Sequence, residues 1–370
     1  MTSDGFVPPP YPYDRLDALK AVAAAHEGGV VDLSIGDPCD PPSRAVIEAL
    51  STSNAERGYP ASIGTEPFRA AARSWLQRKF GVEVPLAQIA ACVGSKEFVV
   101  TTPHWLKLRT PSRDTVLYPA VSYPSYAMGT ILSGCRSVPV PMTNTGGLDV
   151  SAISPDDARR ALMIWMNTPS NPTGALDDIA AVVAWGRNHD VPVFSDECYV
   201  EFTWQGQPAS ALQYGTQGVV AVHSLSKRSN LAGLRVGFYA GDADLVNYLK
   251  EVRKHVGMMV PGPAQAAGVV ALNDDDSVVL QAERYQRRLK RCAQVLSTWS
   301  GCRIEQPAGG FYLWFDAGDG WAFAERLARE GGALVSPGDF YGAGGANNVR
   351  VAMVQPDERI ELIATRLGVL

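Results

Sequence analysis

The middle of the chain alternates short runs of apolar residues with longer amphipathic stretches. This alternation is typical of a parallel β-sheet whose faces are covered by helices. The runs are short and most are continuously apolar, so we read them as strands. They are Ile89–Val93, Thr115–Tyr118, Ala161–Met166, Val191–Phe194, Val219–Val222 and Arg235–Ala240. The pattern predicts an α/β fold with a mostly parallel sheet between helices.

Helical spacing appears on both sides of these runs. Thr65 and Pro67 open a predicted helix with an apolar stripe that includes Phe68 and Trp75. The acidic Asn273–Ser277 turn leads into another helix, whose apolar stripe is Tyr285, Leu289, Cys292 and Leu296.

The character of the chain changes at this turn, and we place a domain boundary there. Residues 46–274 are predicted to form a large α/β domain, and residues 1–45 and 275–370 an N-terminal arm with a smaller α+β domain. In the tail, Gly310–Phe315 and Val349–Val354 are strand-like and Trp321–Glu330 is helical.

Composition narrows the classes of function. The 370 residues correspond to about two domains at ~150 residues each. Acidic residues outnumber basic ones 38 to 33, so no basic field exists for a nucleic-acid partner. The six cysteines form no C-x-x-C pair, and we therefore expect no metal site and a reducing, cytoplasmic location. The longest apolar runs are far shorter than the ~18 residues of a membrane span, and Met1–Asp14 lacks the pattern of a signal peptide.

Polar residues follow the predicted strands, at the edge where ligands bind to open parallel sheets. Gly94-Ser95-Lys96-Glu97 opens a helix, whose free backbone N–H groups favour a phosphate, although for this motif taken alone a simple glycine turn with a serine cap is the better explanation. Asn167-Thr168-Pro169-Ser170-Asn171-Pro172-Thr173-Gly174 forms a rigid turn.

The remaining motifs combine charged side chains with serine hydroxyls. Asp196 follows a predicted buried strand, where its charge needs a cation unless it caps a helix. Ser224, Ser226, Lys227 and Arg235 lie within twelve residues of one another. A lone lysine is ordinarily a surface group, but Schiff-base catalysis on pyridoxal 5'-phosphate uses every member of this set.

These motifs resemble those of the fold type I aminotransferases of class I and II over essentially the whole chain. The order and spacing of seven motifs carry the resemblance. They are Gly94-Ser95-Lys96-Glu97, Ser122-Tyr123-Pro124, Ser170-Asn171-Pro172-Thr173-Gly174, Asp196-Glu197-Cys198-Tyr199, Ser224-Leu225-Ser226-Lys227, Arg235 and Arg350.

The resemblance implies a role for each residue. Lys227 is expected to bind the cofactor covalently and to move the substrate proton, and Asp196 to pair with the ring nitrogen. The expected contacts of the ring and the phosphate are Asn171 and Tyr199 at the ring hydroxyl, Tyr123 on the ring face, and Ser95, Lys96, Ser224, Ser226 and Arg235 at the phosphate.

The resemblance also implies the substrate contacts and the assembly. Arg350 and Asn171 are expected at the substrate carboxylate, and Gly36 over the substrate. Tyr59 resembles the family tyrosine that reaches the phosphate from the neighbouring subunit, which implies a homodimer with shared active sites.

Within the family, the Ser224–Arg235 segment looks most like the actinobacterial N-succinyldiaminopimelate aminotransferases. Those enzymes exchange the amino group between glutamate and N-succinyl-2-amino-6-oxopimelate, so an additional cation should meet a distal carboxylate. Lys96, Arg228 and Arg44 are the candidates, whereas the charge of Asp37 argues against an acidic substrate.

Several alternatives share these motifs or part of them. The first is an aspartate, aromatic or broad-range aminotransferase, and the second is a carbon–sulfur lyase of the same fold. A transcriptional regulator is not expected, because no helix-turn-helix precedes the cofactor motifs. A non-catalytic binding protein is not expected either, because Lys227, Asp196 and Arg350 are all present.

Overall fold

A computed structural model describes residues 5–369 of the chain. Its strands are short, and most of them coincide with the predicted apolar runs. The strands are β1 (Val31–Asp32), β2 (Ile89–Cys92), β3 (Thr115–Pro119), β4 (Arg136–Val140), β5 (Ala161–Asn167), β6 (Val193–Asp196), β7 (Val219–Ser224), β8 (Gly237–Gly241), β9 (Tyr312–Asp316), β10 (Ala333–Leu334), β11 (Ser336–Pro337) and β12 (Asn348–Ala352). Of these, β1, β4, β10 and β11 are additional strands.

Helices separate most of these strands. They are α1 (Asp17–Ala24), α2 (Arg44–Thr52), α3 (Glu66–Phe80), α4 (Ser95–Arg109), α5 (Ser125–Leu132), α6 (Pro155–Arg160), α7 (Ile179–Asn188), α8 (Leu225–Arg228), α9 (Ala243–His255), α10 (Gly262–Asn273), α11 (Asp275–Ser300), α12 (Gly320–Gly331) and α13 (Asp357–Arg366).

The main sheet has seven strands in the order β2-β8-β7-β6-β5-β3-β4. Only β8 runs against the others, since it pairs antiparallel with both of its neighbours. The predicted α/β fold with a mostly parallel sheet is confirmed. Most strands of this sheet are buried along their whole length, which explains their continuous apolar runs.

For two of the strands that differ from the prediction, the reason is local. The edge strand β4 was missed because its outer positions are exposed and the sequence Arg-Ser-Val-Pro-Val has no apolar run. Strand β8 begins at Gly237 and not at Arg235, because Arg235 has a left-handed backbone with φ of 53° that cannot belong to a strand.

The predicted helices both exist. The stripe of α3 buries Phe68 and Trp75 against the sheet, and Gly81 ends the helix with φ of 65°. Helix α11 extends well beyond its predicted stripe. The Asp274 side chain caps its first turn by accepting the Ser277 N–H, and Gly301 ends it.

The tail forms a three-stranded antiparallel sheet in the order β11-β12-β9, and β1 near the N-terminus pairs with β10. A second hydrophobic cluster, which includes Leu313, Leu327 and Val351, packs around these elements. Tyr199 and Phe202 also pack in this cluster, so residues of the predicted large domain contribute to it. The division at residues 45/46 and 274/275 stays a prediction.

Within residues 5–369, no helix combines the length and the apolar character needed to cross a bilayer.

Candidate active site

A cavity of about 300 Å³ opens where strands β5, β6 and β7 end. The last residues of these strands, Asn167, Asp196 and Ser224, all line it. Because the three strands are parallel neighbours, their carboxyl ends deliver these side chains to one place. We call these three strand ends the floor of the cavity.

Asp196 lies at the centre of the floor and is buried. Its Oδ2 accepts the Tyr126 hydroxyl at 3.0 Å, and its Oδ1 accepts the Cys198 N–H at 3.3 Å. Burial raises the pKa of this carboxyl above its usual value, and the two hydrogen bonds oppose the rise. Within residues 5–369 no Lys, Arg or His nitrogen lies within 4.0 Å of it. A protonated ring nitrogen of a bound pyridoxal phosphate therefore fits here.

Asn171 and Tyr199 stand beside this carboxylate. The Asn167 Oδ1 accepts the Asn171 backbone N–H at 2.8 Å, which fixes the turn that follows β5. The Asn171 Nδ2 lies 3.4 Å from the Tyr199 hydroxyl, which also contacts the Tyr312 hydroxyl at 2.8 Å. These amide and hydroxyl groups are suitable partners for the ring hydroxyl of the cofactor.

A second group of residues in the cavity, around Ser224, suits a phosphate. The Ser224 hydroxyl lies 2.8 Å from that of Ser226, and the Arg235 Nη1 lies 3.4 Å from the Ser226 Oγ. Helix α4 points its first turn here, with Ser95 and Lys96 among the residues that line the cavity. A Cβ on Gly94, whose φ is 74°, would lie 2.2 Å from the Arg235 Nη2, so the close approach requires glycine. Hydroxyls, helix N–H groups and a guanidinium form a suitable anion site.

Lys227 projects from the short helix α8 into the same cavity. Burial lowers the pKa of its amine to about 8. Its Nζ donates to the carbonyl oxygen of Gly36. A Cβ on Gly36 would lie 2.1 Å from the Tyr312 hydroxyl, so only glycine leaves the loop this close to the amine.

Arg350 on β12 lines the cavity and is 1% exposed. Its Nη1 donates to the Asn171 Oδ1 at 3.0 Å, and its Nη2 donates to the Ser34 carbonyl. The rings of Tyr312 and Tyr341 lie 4.3 and 4.8 Å from its guanidinium carbon. A buried guanidinium without a carboxylate partner among residues 5–369 is suited to a substrate carboxylate.

The mouth of the cavity consists of Tyr11, Tyr13, Ile35, Lys96 and Tyr123, which lie on loops, on a short 3₁₀ helix and on the first turn of α4. The Lys96 Nζ lies 3.3 Å from the Tyr11 hydroxyl and 6.0 Å from the centre of the Tyr123 ring. The Tyr13 hydroxyl contacts that of Tyr341 at 3.0 Å.

The other two candidate cations for a distal carboxylate lie elsewhere, which corrects the prediction. Arg228 is buried outside the cavity, where its Nε donates to the Glu201 Oε1 at 3.1 Å. Arg44 is exposed on α2 and does not line the cavity. Asp37 is also exposed and outside the lining. Tyr59 is 96% exposed and does not reach the cavity of its own chain.

Sequence reasoning missed the tyrosines that surround these groups. Tyr126 lies in the first turn of α5, three residues after Tyr123, which precedes the helix, and both line the cavity. Tyr13, Tyr312 and Tyr341 carried no signal in the sequence. Among residues 5–369, no cluster of three or more His, Cys, Asp or Glu side chains is arranged to hold a metal ion.

Comparisons with known proteins agree with this geometry. The family model described as aminotransferase class I and II matches residues 28–367. The 4-dedimethylamino-4-oxo-anhydrotetracycline transaminase OxyQ of Streptomyces rimosus is 38% identical over 97% of this chain and 99% of its own. An LL-diaminopimelate aminotransferase of Syntrophobacter fumaroxidans is 34% identical over 97% of this chain and 96% of its own.

A solved structure from Thermus thermophilus, described as a probable N-succinyldiaminopimelate aminotransferase, superimposes with a TM-score of 0.85. It is 30% identical to this chain, and the match covers 96% of this chain and 98% of the other. The agreement confirms the predicted fold type I architecture.

Proposed function

Because the chain belongs to the class I and II aminotransferases, we propose that it moves an amino group between glutamate and N-succinyl-2-amino-6-oxopimelate, in diaminopimelate and lysine biosynthesis. The protein is an aminotransferase, and its cofactor is pyridoxal 5'-phosphate. When bound, this cofactor supplies an aldehyde that reacts with amines and a ring that withdraws electrons from the substrate α-carbon.

The residues of this chain would divide the work as follows. The Lys227 amine holds the cofactor and then carries a proton to and from the substrate α-carbon, for which a pKa of about 8 is well matched. Asp196 holds a negative charge at the ring nitrogen, Asn171 and Tyr199 hold the ring hydroxyl, and Arg350 orients the substrate by its α-carboxylate. The assignments rest on the positions of these groups around one cavity.

The observation that supports an acidic substrate is the position of Lys96. It is the remaining candidate cation that lines the cavity, and its ammonium contacts a tyrosine hydroxyl and aromatic rings rather than a carboxylate. A substrate with a second carboxylate, such as glutamate or the succinylated acceptor, supplies that missing charge. The relatives named for diaminopimelate substrates agree with this choice.

Tyr59 supports a homodimer in which each subunit completes the site of the other. A tyrosine that is 96% exposed in one chain has a large apolar surface to bury against a partner.

All six cysteines are free thiols, which fits a reducing cytoplasm.

A second candidate is an aminotransferase for aromatic or broad-range substrates. The mouth of the cavity carries three tyrosines, Tyr11, Tyr13 and Tyr123, which would pack against a ring system. A relative of nearly equal length is named for an anhydrotetracycline ketone, which agrees with this alternative.

A panel of amino acceptors separates the candidates. Glutamate first converts the bound cofactor to its amine form, and each keto acid is then added while the aldehyde-form absorbance is followed. We expect N-succinyl-2-amino-6-oxopimelate to restore it fastest, ahead of oxaloacetate and phenylpyruvate. A faster reaction with phenylpyruvate would select the second candidate. A carbon–sulfur lyase would instead form no 2-oxoglutarate from glutamate, and it would release ammonia and a keto acid when a thioether amino acid is supplied.

A further inference from the structure

Behind the first turn of α4 lies a carboxylate–guanidinium pair that the proposed chemistry does not use. Glu97 is the third residue of this helix, and Arg253 projects from α9. The Arg253 Nη1 donates to the Glu97 Oε2 at 2.9 Å, and its Nη2 donates to Oε1. Arg253 is 1% exposed, and its guanidinium carbon lies 5.6 Å from the Phe98 ring and 5.7 Å from the Tyr239 ring. The arginine is thus held on the Glu97 carboxylate from several sides.

Glu97 in turn holds the turn that precedes the helix. Its Oε1 accepts the backbone N–H of Val93 at 2.8 Å. The backbone carbonyl of Val93 accepts from the Arg235 Nη2 at 3.4 Å. The turn at Val93 and Gly94 is therefore fixed from one side by a carboxylate and from the other by an arginine of the phosphate site. This turn sets the direction in which the N–H groups of Ser95 and Lys96 point.

The carboxylate creates an electrostatic problem that Arg253 solves. The Glu97 Oε1 accepts the N–H of Val93, whose carbonyl accepts from Arg235 of the proposed phosphate site, so the negative charge of Glu97 lies near the place proposed for a phosphate dianion. An uncompensated carboxylate at that distance would repel the anion, and the partly buried setting would strengthen the repulsion. The buried Arg253 cancels this charge and leaves the hydrogen bond to Val93 intact.

We propose that Glu97 and Arg253 are positioning residues for the cofactor phosphate: Glu97 fixes the turn, and Arg253 neutralises Glu97 so that the anion can bind. The inference rests on the proposed placement of the phosphate at the N-terminus of α4. Neither residue lines the cavity, so both act through the backbone and through charge and not by contact with the cofactor.

The test compares pyridoxal phosphate with pyridoxal, which lacks the phosphate. Holoenzyme is stripped of cofactor and reloaded with each compound. The dissociation constant of pyridoxal divided by that of pyridoxal phosphate measures the contribution of the phosphate, and a larger ratio means a stronger preference for pyridoxal phosphate. We expect Arg253→Met to weaken the preference for pyridoxal phosphate about tenfold, because it leaves Glu97 unopposed. The double variant Glu97→Gln with Arg253→Met should regain most of the preference, since the glutamine amide oxygen still accepts from Val93 without a charge.

Arg291→Met is the matched control, because its partner Glu361 lies on α13, away from the cavity. It should leave the ratio unchanged. An unchanged ratio in Arg253→Met, or a double variant as poor as the single one, would overturn the proposal. If Arg253→Met fails to fold, Glu97→Gln alone decides: it leaves Arg253 unopposed, so the ratio must rise, and a constant or lower ratio overturns the proposal. A wild-type ratio near one would instead refute the phosphate site itself.

Discussion

The floor and the mouth of the cavity are built in different ways. Asn167, Asp196 and Ser224 on the floor are the last residues of neighbouring parallel strands, and all three are buried. The mouth comes from segments outside the sheet, and its Lys96 and Tyr11 are exposed. At least two hydrogen bonds fix each floor group, whereas Lys96, Tyr11 and Tyr13 of the mouth each make a single side-chain hydrogen bond. From this comparison we propose that the strand ends hold the reacting groups in place and that the mouth selects the substrate.

Removing the Lys227 amine, which projects from α8 into the cavity beside the floor, has the largest expected effect. Lys227→Ala should lower kcat by at least about 10⁴-fold, because one group supplies both the covalent attachment and the proton transfer. The measurement is 2-oxoglutarate formation from glutamate under saturating acceptor. Cofactor should still bind weakly through its phosphate, with the absorbance of a free aldehyde.

Lys254→Ala is the control for this substitution, because Lys254 pairs with Glu251 on the exposed face of α9. It should retain wild-type activity. Full activity in Lys227→Ala would show that another amine does the chemistry.

The pH dependence of cofactor capture tests the same amine without a mutation. Burial lowers the Lys227 pKa from 10.5 to about 8, and only the neutral amine attacks an aldehyde. Below this pKa the neutral fraction falls about tenfold per pH unit. The rate at which apoenzyme captures pyridoxal phosphate should therefore rise about 50-fold from pH 6 to 8 and then level off. A rise that continues to pH 10 would mean that burial does not depress this pKa.

The floor was easier to predict from the sequence than the mouth. The floor was predictable because its strands are continuous apolar runs and its functional residues follow them directly along the chain. Arg228 was misplaced because it is adjacent to Lys227 in sequence, although consecutive helical side chains point about 100° apart. It is buried against Glu201 instead.

Lys96 and Tyr123 of the mouth were predicted as site residues and do line the cavity, whereas Tyr11 and Tyr13 could not be predicted, since their contacts join distant parts of the chain. Tyr13 meets Tyr341 across 328 positions, and neither residue lies in a periodic stretch that would indicate this contact. The Lys96 side chain could have pointed to solvent, and only the position of Tyr11 places it over the opening.

Lys96→Met tests whether the mouth selects acidic substrates. Methionine keeps the length of the side chain and the backbone N–H but removes the charge. We expect KM for glutamate and for the succinylated acceptor to rise about tenfold or more, the usual loss for a charged hydrogen bond. Kinetics with a neutral amino donor such as phenylalanine serve as the internal control and should change little. An equal loss for both donors would instead assign Lys96 to the cofactor.

Tyr13→Phe should have the smallest effect, and it tests whether the loop of the mouth supports the floor. The substitution deletes the contact of its hydroxyl with that of Tyr341, whose ring lies 4.8 Å from the Arg350 guanidinium carbon. Losing one such hydrogen bond costs about 2–10-fold, and we expect this in KM for the amino donor while kcat stays constant. Tyr118→Phe is the matched control, because it loses a hydroxyl contact of 2.6 Å with Ser137 that lies outside the cavity. A fall in kcat in Tyr13→Phe alone would show that this loop positions the reacting groups as well, and the separation between floor and mouth would then fail.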